Sequence, residues 1–208
     1  TSNDIESPVK EALEDWYEEE QFDNYAYWIY DAPYCSDRTI QNDATSTKGF
    51  NNVDTVYGSY ARNDSLTESN PILSCPRVED TFTVSPTKGN GKNNHPIGLI
   101  TADEAVMAGT ILDFLYSNTN DILFYNGYSS DCKWTMTPYS MYNGQSKMIK
   151  YSQYNGLSST ATTTSCALQP VISLNLLRLY ILSGDGSPER PYIFNMNEEK
   201  EEDLSFLF

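Results

Sequence analysis

The chain has 208 residues, a length that suits one domain able to bury about 70% of its unfolded surface. Its formal charge of −16 argues against nucleic acid, which is held by neutralising phosphates with Lys and Arg, and against adhesion to an anionic membrane surface. Only 39% of residues are hydrophobic, but 16 Tyr, 8 Phe and 3 Trp supply bulk for a core and for a contact surface. No apolar run approaches the roughly 20 residues of a spanning helix. The opening residues lack the basic and apolar parts of a signal peptide, so any export or anchoring signal is expected outside this segment. Four cysteines, widely spaced and without C-x-x-C, fit two disulfides better than a metal site or redox pair. The single histidine, His95, excludes zinc sites built on two or more.

Ser7-Pro8 reads as N-cap and first helical residue, and Val9, Ala12, Leu13, Trp16 and Tyr17 recur at helical spacing. This predicts a helix over 8–20 whose glutamates form a solvated face. Tyr25–Tyr30 is aromatic and strand-prone. From Cys35 to Asn70 the chain is polar and short of apolar anchors, a long loop that needs a tether. Cys35 and Cys75 would supply one, worth up to about 4 kcal/mol in the chain-entropy account. Asn63-Asp-Ser65 is a glycosylation sequon, meaningful only in a eukaryotic secretory pathway. Thr81–Val84 alternates like a strand, and Lys88–Lys92 is a turn.

The stretch from His95 to Gly109 is the densest local signal. Ile97, Leu99 and Ile100 fill a buried strand, Thr101 and Glu104 form a capping box, and Gly109 supplies a left-handed stop. The cap accounts for the adjacent carboxylates of Asp103 and Glu104. Ile111–Tyr116 and Ile122–Tyr125 are short apolar runs. The last third reads as antiparallel sheet: strands at Lys133–Thr137 and Lys147–Gln153, a hairpin turn at Asn155-Gly156, a buried-looking Pro170–Leu174, a turn at Gly184–Pro188 and a strand at Tyr192–Phe194. Glu198–Asp203 is an acidic tail, and Leu204–Phe208 is apolar enough to dock on the domain or on a neighbouring subunit.

Six landmarks follow one another in an order known from a family. They are the first helix with its Trp-Tyr pair, Cys35-Ser-Asp-Arg38, Pro96–Glu104, Trp134-Thr-Met-Thr-Pro138, Gln169–Leu174 and Gly184–Tyr192. Over about residues 7–195 the chain resembles bacterial secreted or surface domains of the C-type-lectin-like fold, in the branch shared with formylglycine-generating-enzyme-like proteins. The resemblance implies an α+β domain over 1–195, with two helices packed on a twisted, mostly antiparallel sheet and long irregular loops, followed by the tail at 196–208. Relatives include pilin-linked proteins and lectin-like proteins diversified by retroelements, whose variable face corresponds to Tyr139–Leu168 here. Relatives read Gly-Val-Arg-Pro where this chain has Ala167-Leu-Gln-Pro170, so Gln169 stands in the place of an Arg. If the strands beside Cys132 and Cys166 are neighbours, as the fold implies, those two cysteines cross-link the base of the 139–168 segment.

That segment mixes tyrosines with Ser, Asn, Thr and Gly, a composition resembling a binding paratope. Tyr139, Tyr142, Lys147, Lys150, Tyr151, Tyr154 and Asn155 are the candidate ligand contacts, against the plainer reading of a solvated sheet. The sugar-coordinating Glu-Pro-Asn type of tripeptide is missing, and Gln169-Pro-Val171 fails at its third position. No cofactor is expected, with a structural calcium near Asp185 or Asp103 left open. No nucleophile elbow or phosphate loop occurs, and His95 before Pro96 reads as structural. The expectation is an extracellular or cell-surface, non-catalytic ligand-binding or adhesion domain that meets a protein or glycan, with no nucleic acid partner and no membrane contact of its own. The alternatives are a pilin-like or surface-assembly subunit that self-assembles through its termini, and a formylglycine-generating-type enzyme with free thiols at Cys132 and Cys166.

Overall fold

Local chemistry builds the first element as expected. The helix α1 spans Pro8–Glu19, with the Ser7 hydroxyl accepting the Lys10 amide at 3.1 Å and Pro8 in the first turn, where no amide is needed. Leu13 and Tyr17 are its buried residues on the apolar stripe, and the glutamates at 11, 18 and 19 face water. Glu14, expected on that solvated face, is instead buried, because Lys10 and Asn94 bond its carboxylate. The computed structural model describes residues 7–40, 54–63, 70–110, 132–142, 145–152, 156–187 and 189–195. The apolar runs at 111–116 and 122–125 and the tail at 196–208 lie outside the described residues.

The architecture is mixed α+β, and every described strand pair is antiparallel. A three-stranded sheet sets β9 (Val171–Leu174) between β1 (Ile29–Tyr30) and β5 (Ile97–Gly98). A four-stranded sheet runs β3 (Asp54–Val56), β6 (Lys133–Tyr142), β7 (Gln145–Ser152), β8 (Gly156–Ala161). Two small ribbons complete the set: β2 (Tyr34–Cys35) with β4 (Thr81–Phe82), and β10 (Ile181–Ser183) with β11 (Ile193–Phe194). Pro138 lies inside β6, where it cannot donate to the ladder, and the β6–β7 register shifts on both sides of it.

Between β5 and β6 in the chain, α3 (Ala102–Met107) starts on the predicted capping box. The Thr101 hydroxyl accepts the Glu104 amide at 3.1 Å, and Glu104 Oε2 accepts the Thr101 amide at 2.7 Å. At its end Thr110 N–H bonds Ala105 O and Gly109 N–H bonds Val106 O, with Gly109 at φ +102°, a Schellman stop.

The four-stranded sheet is packed on both faces. Ile149, Tyr151 and Leu157 meet Ala102 and Ala105 of α3 on one side. Trp134, Met136 and Met148 meet Leu13 and Tyr17 of α1, with Ile97 and Leu99, on the other. Both disulfides form as expected, Cys35–Cys75 and Cys132–Cys166.

Several expectations change. The aromatic run at 25–30 begins on the last residue of a 3-10 turn, Phe22–Tyr25, continues as turn through 28, and only Ile29–Tyr30 is strand. Its rings pack locally, Phe22 on Trp16 at 5.1 Å and Tyr25 on Trp28 at 6.3 Å between centroids, which favours a coil over an extended run. The 35–75 loop is not structureless, since it holds β3 and the helix α2 (Gly58–Asn63). Pro170–Leu174 is half-buried or exposed rather than buried, although β9 is the central strand of its sheet.

Candidate functional site

An apolar cleft of about 510 Å³ opens between α1 and the α1-facing side of the four-stranded sheet. Val9 and Leu13 line it from α1, Ile97 and Leu99 from the strand before α3, and Trp134, Met136 and Met148 from the sheet. The alternation of β6 and β7 explains this lining, because Trp134, Met136 and Met148 share one side of the pleat. Two methionines give an adaptable wall, and the Trp gives a rigid one.

Charge at the rim is asymmetric. Lys10 Nζ is 3.0 Å from Glu14 Oε2, and the same carboxylate accepts Asn94 N–H at 2.7 Å and Asn94 Nδ2 at 2.8 Å. That pair is internally satisfied. Lys92 also lines the cleft, is exposed, and has no ion-pair partner among the described residues. His95 sits nearby on α1, stacked on Tyr17 with ring centroids 4.6 Å apart and Nε2 3.0 Å from Glu18 Oε1. It joins the loop to the helix, the structural role expected of it.

The tyrosine face does not assemble as expected. Tyr151 is 1% exposed, buried against α3, with its hydroxyl donating to Gln169 Oε1 at 2.9 Å. It is a core residue and out of a ligand's reach. Tyr139 is half-buried and packs on the same cluster. Lys147 and Lys150 are three apart in the regular strand β7, so they point to opposite sides of the sheet and form no paired cation site. The Tyr142 side chain, Tyr154 and Asn155 lie outside the described residues. Gln169 is a hub: its Oε1 also accepts Lys133 Nζ at 2.6 Å.

Sequence reading missed a buried ionic network. Arg62 of α2 grips Asp103 with two bonds, Nε to Oδ1 at 2.7 Å and Nη2 to Oδ2 at 2.8 Å, and its Nη1 donates to Asp37 Oδ2 at 2.7 Å. Asp103 also accepts Ser59 Oγ at 2.7 Å, Asn63 Nδ2 at 3.0 Å and the Ile72 amide at 3.1 Å. Burial alone would push this carboxyl up, but the bonds from Arg62, Ser59, Asn63 and Ile72 outweigh it and hold its pKa below the usual value. Asp103 is therefore not accounted for by the helix cap, which Glu104 serves. Arg38 pairs with buried Asp80 in the same way, Nε to Oδ1 at 2.6 Å.

The partners of the two carboxylates considered for calcium differ. A guanidinium fills the place at Asp103 where a calcium was considered, and at Asp185 the ligands are the Ser187 amide at 3.1 Å and Arg190 Nη1 at 3.2 Å. No group of metal-binding side chains occurs among the described residues. Asn63, the sequon residue, is fully buried with its amide on Asp103 and Ser59 O, so the folded chain offers no acceptor there. No helix among the described residues is long and apolar enough to cross a membrane.

No family model, curated protein or solved structure matches this chain.

Proposed function

We propose that the chain is a non-catalytic ligand-binding domain of an extracellular or cell-surface protein, and that the cleft beside α1 holds a small amphipathic molecule with an apolar body and an anionic end. The cleft carries this reading. Its volume, about 510 Å³, falls within the roughly 300–1,000 Å³ of small-molecule sites, and its walls are mostly apolar with few polar groups at the rim. Lys92 is the rim charge left for a ligand, and the positive end of the α1 dipole points the same way. Two disulfides support an oxidising compartment. All four sulfurs are bonded, which leaves no thiol for formylglycine-type chemistry, and the buried Asp37, Asp80 and Asp103 are paired with arginines. Six sequence landmarks support the C-type-lectin-like relationship, and a mixed α+β chain with antiparallel sheets is compatible with it.

Calorimetric titration with dodecanoate and with dodecanol tests the reading. Saturable one-to-one binding is expected, tighter for the carboxylate, weakened in Lys92→Glu and abolished in Val9→Phe combined with Met148→Phe. Binding that survives the two Phe substitutions, or no saturable binding by either probe, refutes it.

A further inference from the structure

The part of the surface least like the rest of this acidic chain is the segment from β9 through β10. Leu176 and Leu177 are 75% and 96% exposed, and Tyr180, Ile181, Leu182 and Ile193 are all more than half exposed. Over 171–183 Arg178 is the sole charged residue, and it is engaged: its guanidinium lies 4.2 Å from the Tyr27 ring centroid and donates to Tyr27 O at 3.2 Å. The segment is also pinned. Asn175 N–H bonds Trp28 O at 2.7 Å, Leu179 is buried, and Asn195 N–H bonds Tyr180 O at 2.9 Å. An ordered apolar surface of this kind, with one engaged cation, marks an interaction site.

We infer that this surface joins two copies of the chain, through antiparallel pairing of β10 with β10 of the second copy. Three observations choose that occupant. The β10–β11 ribbon has only two strands, so each has an unpaired edge among the described residues, and such a ribbon gains little alone in water. The chain carries −16, so most faces would set acid against acid between copies, whereas the only charged residue over 171–183 is Arg178, turned onto the Tyr27 ring. The sequence also fits a two-fold axis at Leu182. Leu182 then opposes itself, Ile181 opposes Ser183, and Tyr180 opposes Gly184, with no like charges facing across the pair. Leu176 and Leu177 flank the new four-stranded ribbon and lose their water.

Sedimentation velocity over micromolar to submillimolar concentration tests this on the full chain. The wild type is expected to dimerise reversibly, with hydrogen exchange at 181–183 slowing as concentration rises. Leu182→Lys and Leu182→Glu, each setting like charges face to face, should each weaken dimerisation on the order of a hundredfold without changing the melting temperature. Mixing the two variants should restore a heterodimer. A wild type that stays monomeric, variants that dimerise like the wild type, or a mixture that stays monomeric overturns the inference. So does a chain truncated after Asp203 that dimerises when the full chain does not, since the apolar end would then cover the surface in cis.

Discussion

The two faces of the four-stranded sheet are made from the same strands and meet one helix each, yet one is closed and the other is not. Toward α3, two alanines let the short helix approach the sheet, and Ile149, Tyr151 and Leu157 fill the space completely. Toward α1 the side chains are larger, Trp134 and two methionines against Val9 and Leu13, and a cleft remains. Volume alone does not fill a core: small residues on a helix close an interface that larger ones hold apart. The filled face fixes the fold, and the unfilled one has capacity to spare.

Breaking the closed side should cost most. Asp103→Ala leaves Arg62 only its bond to Asp37, takes the acceptor from Ser59, Asn63 and the Ile72 amide, and is expected to lose about 3–5 kcal/mol in denaturant unfolding. The same carboxylate sets an acid limit. Its folded pKa lies below the ordinary 3.8, so its stabilisation is complete above that value and drains away as the pH falls through the lowered one. Melting temperatures in an acid series should drop steeply there in the wild type and more gently in Asp103→Asn. Next, Ile149→Ala should cost about 2–5 kcal/mol, and Met148→Ala, bordering space that already exists, less than half as much. Equal losses would mean that the cleft closes up in solution. Tyr151→Phe removes one hydrogen bond to Gln169 and should cost about 1 kcal/mol while leaving ligand binding intact. Smallest is the gain from Val9→Phe, about 0.5–2 kcal/mol of added stability from filling the cleft.

What could be read in advance was local. Ser7-Pro8, the Thr101–Glu104 box and the stop at Gly109 act within a turn of their own residue, so the letters suffice. The Cys35–Cys75 pairing followed from the need to tether a polar stretch. Tyr151 was misjudged because β7 carries Met148 and Ile149 on opposite sides, and a strand with apolar residues on both faces gives no alternation to say which side tyrosine takes. The Arg62–Asp103 contact spans 41 residues and Arg62 lies in a stretch that reads as loop, so no periodicity links the two. The cleft was out of reach for the same reason, being a gap between elements that meet only in the folded chain. Leu176–Leu182 was passed over because an apolar run is ordinarily read as interior, and here tight anchoring holds it outward.

One consequence of the Cys35–Cys75 bridge reaches beyond its own loop. The stretch it closes, a separation of 40, carries Arg62, the counter-charge of Asp103. Closing the bridge and seating the interior carboxylate therefore draw on the same stretch of chain. In a reduced copy the span would still be held to α3 by the bonds of Ser59, Arg62, Asn63 and Ile72 to Asp103 and to the sheet by β3, so the bridge narrows the search for those contacts rather than replacing them.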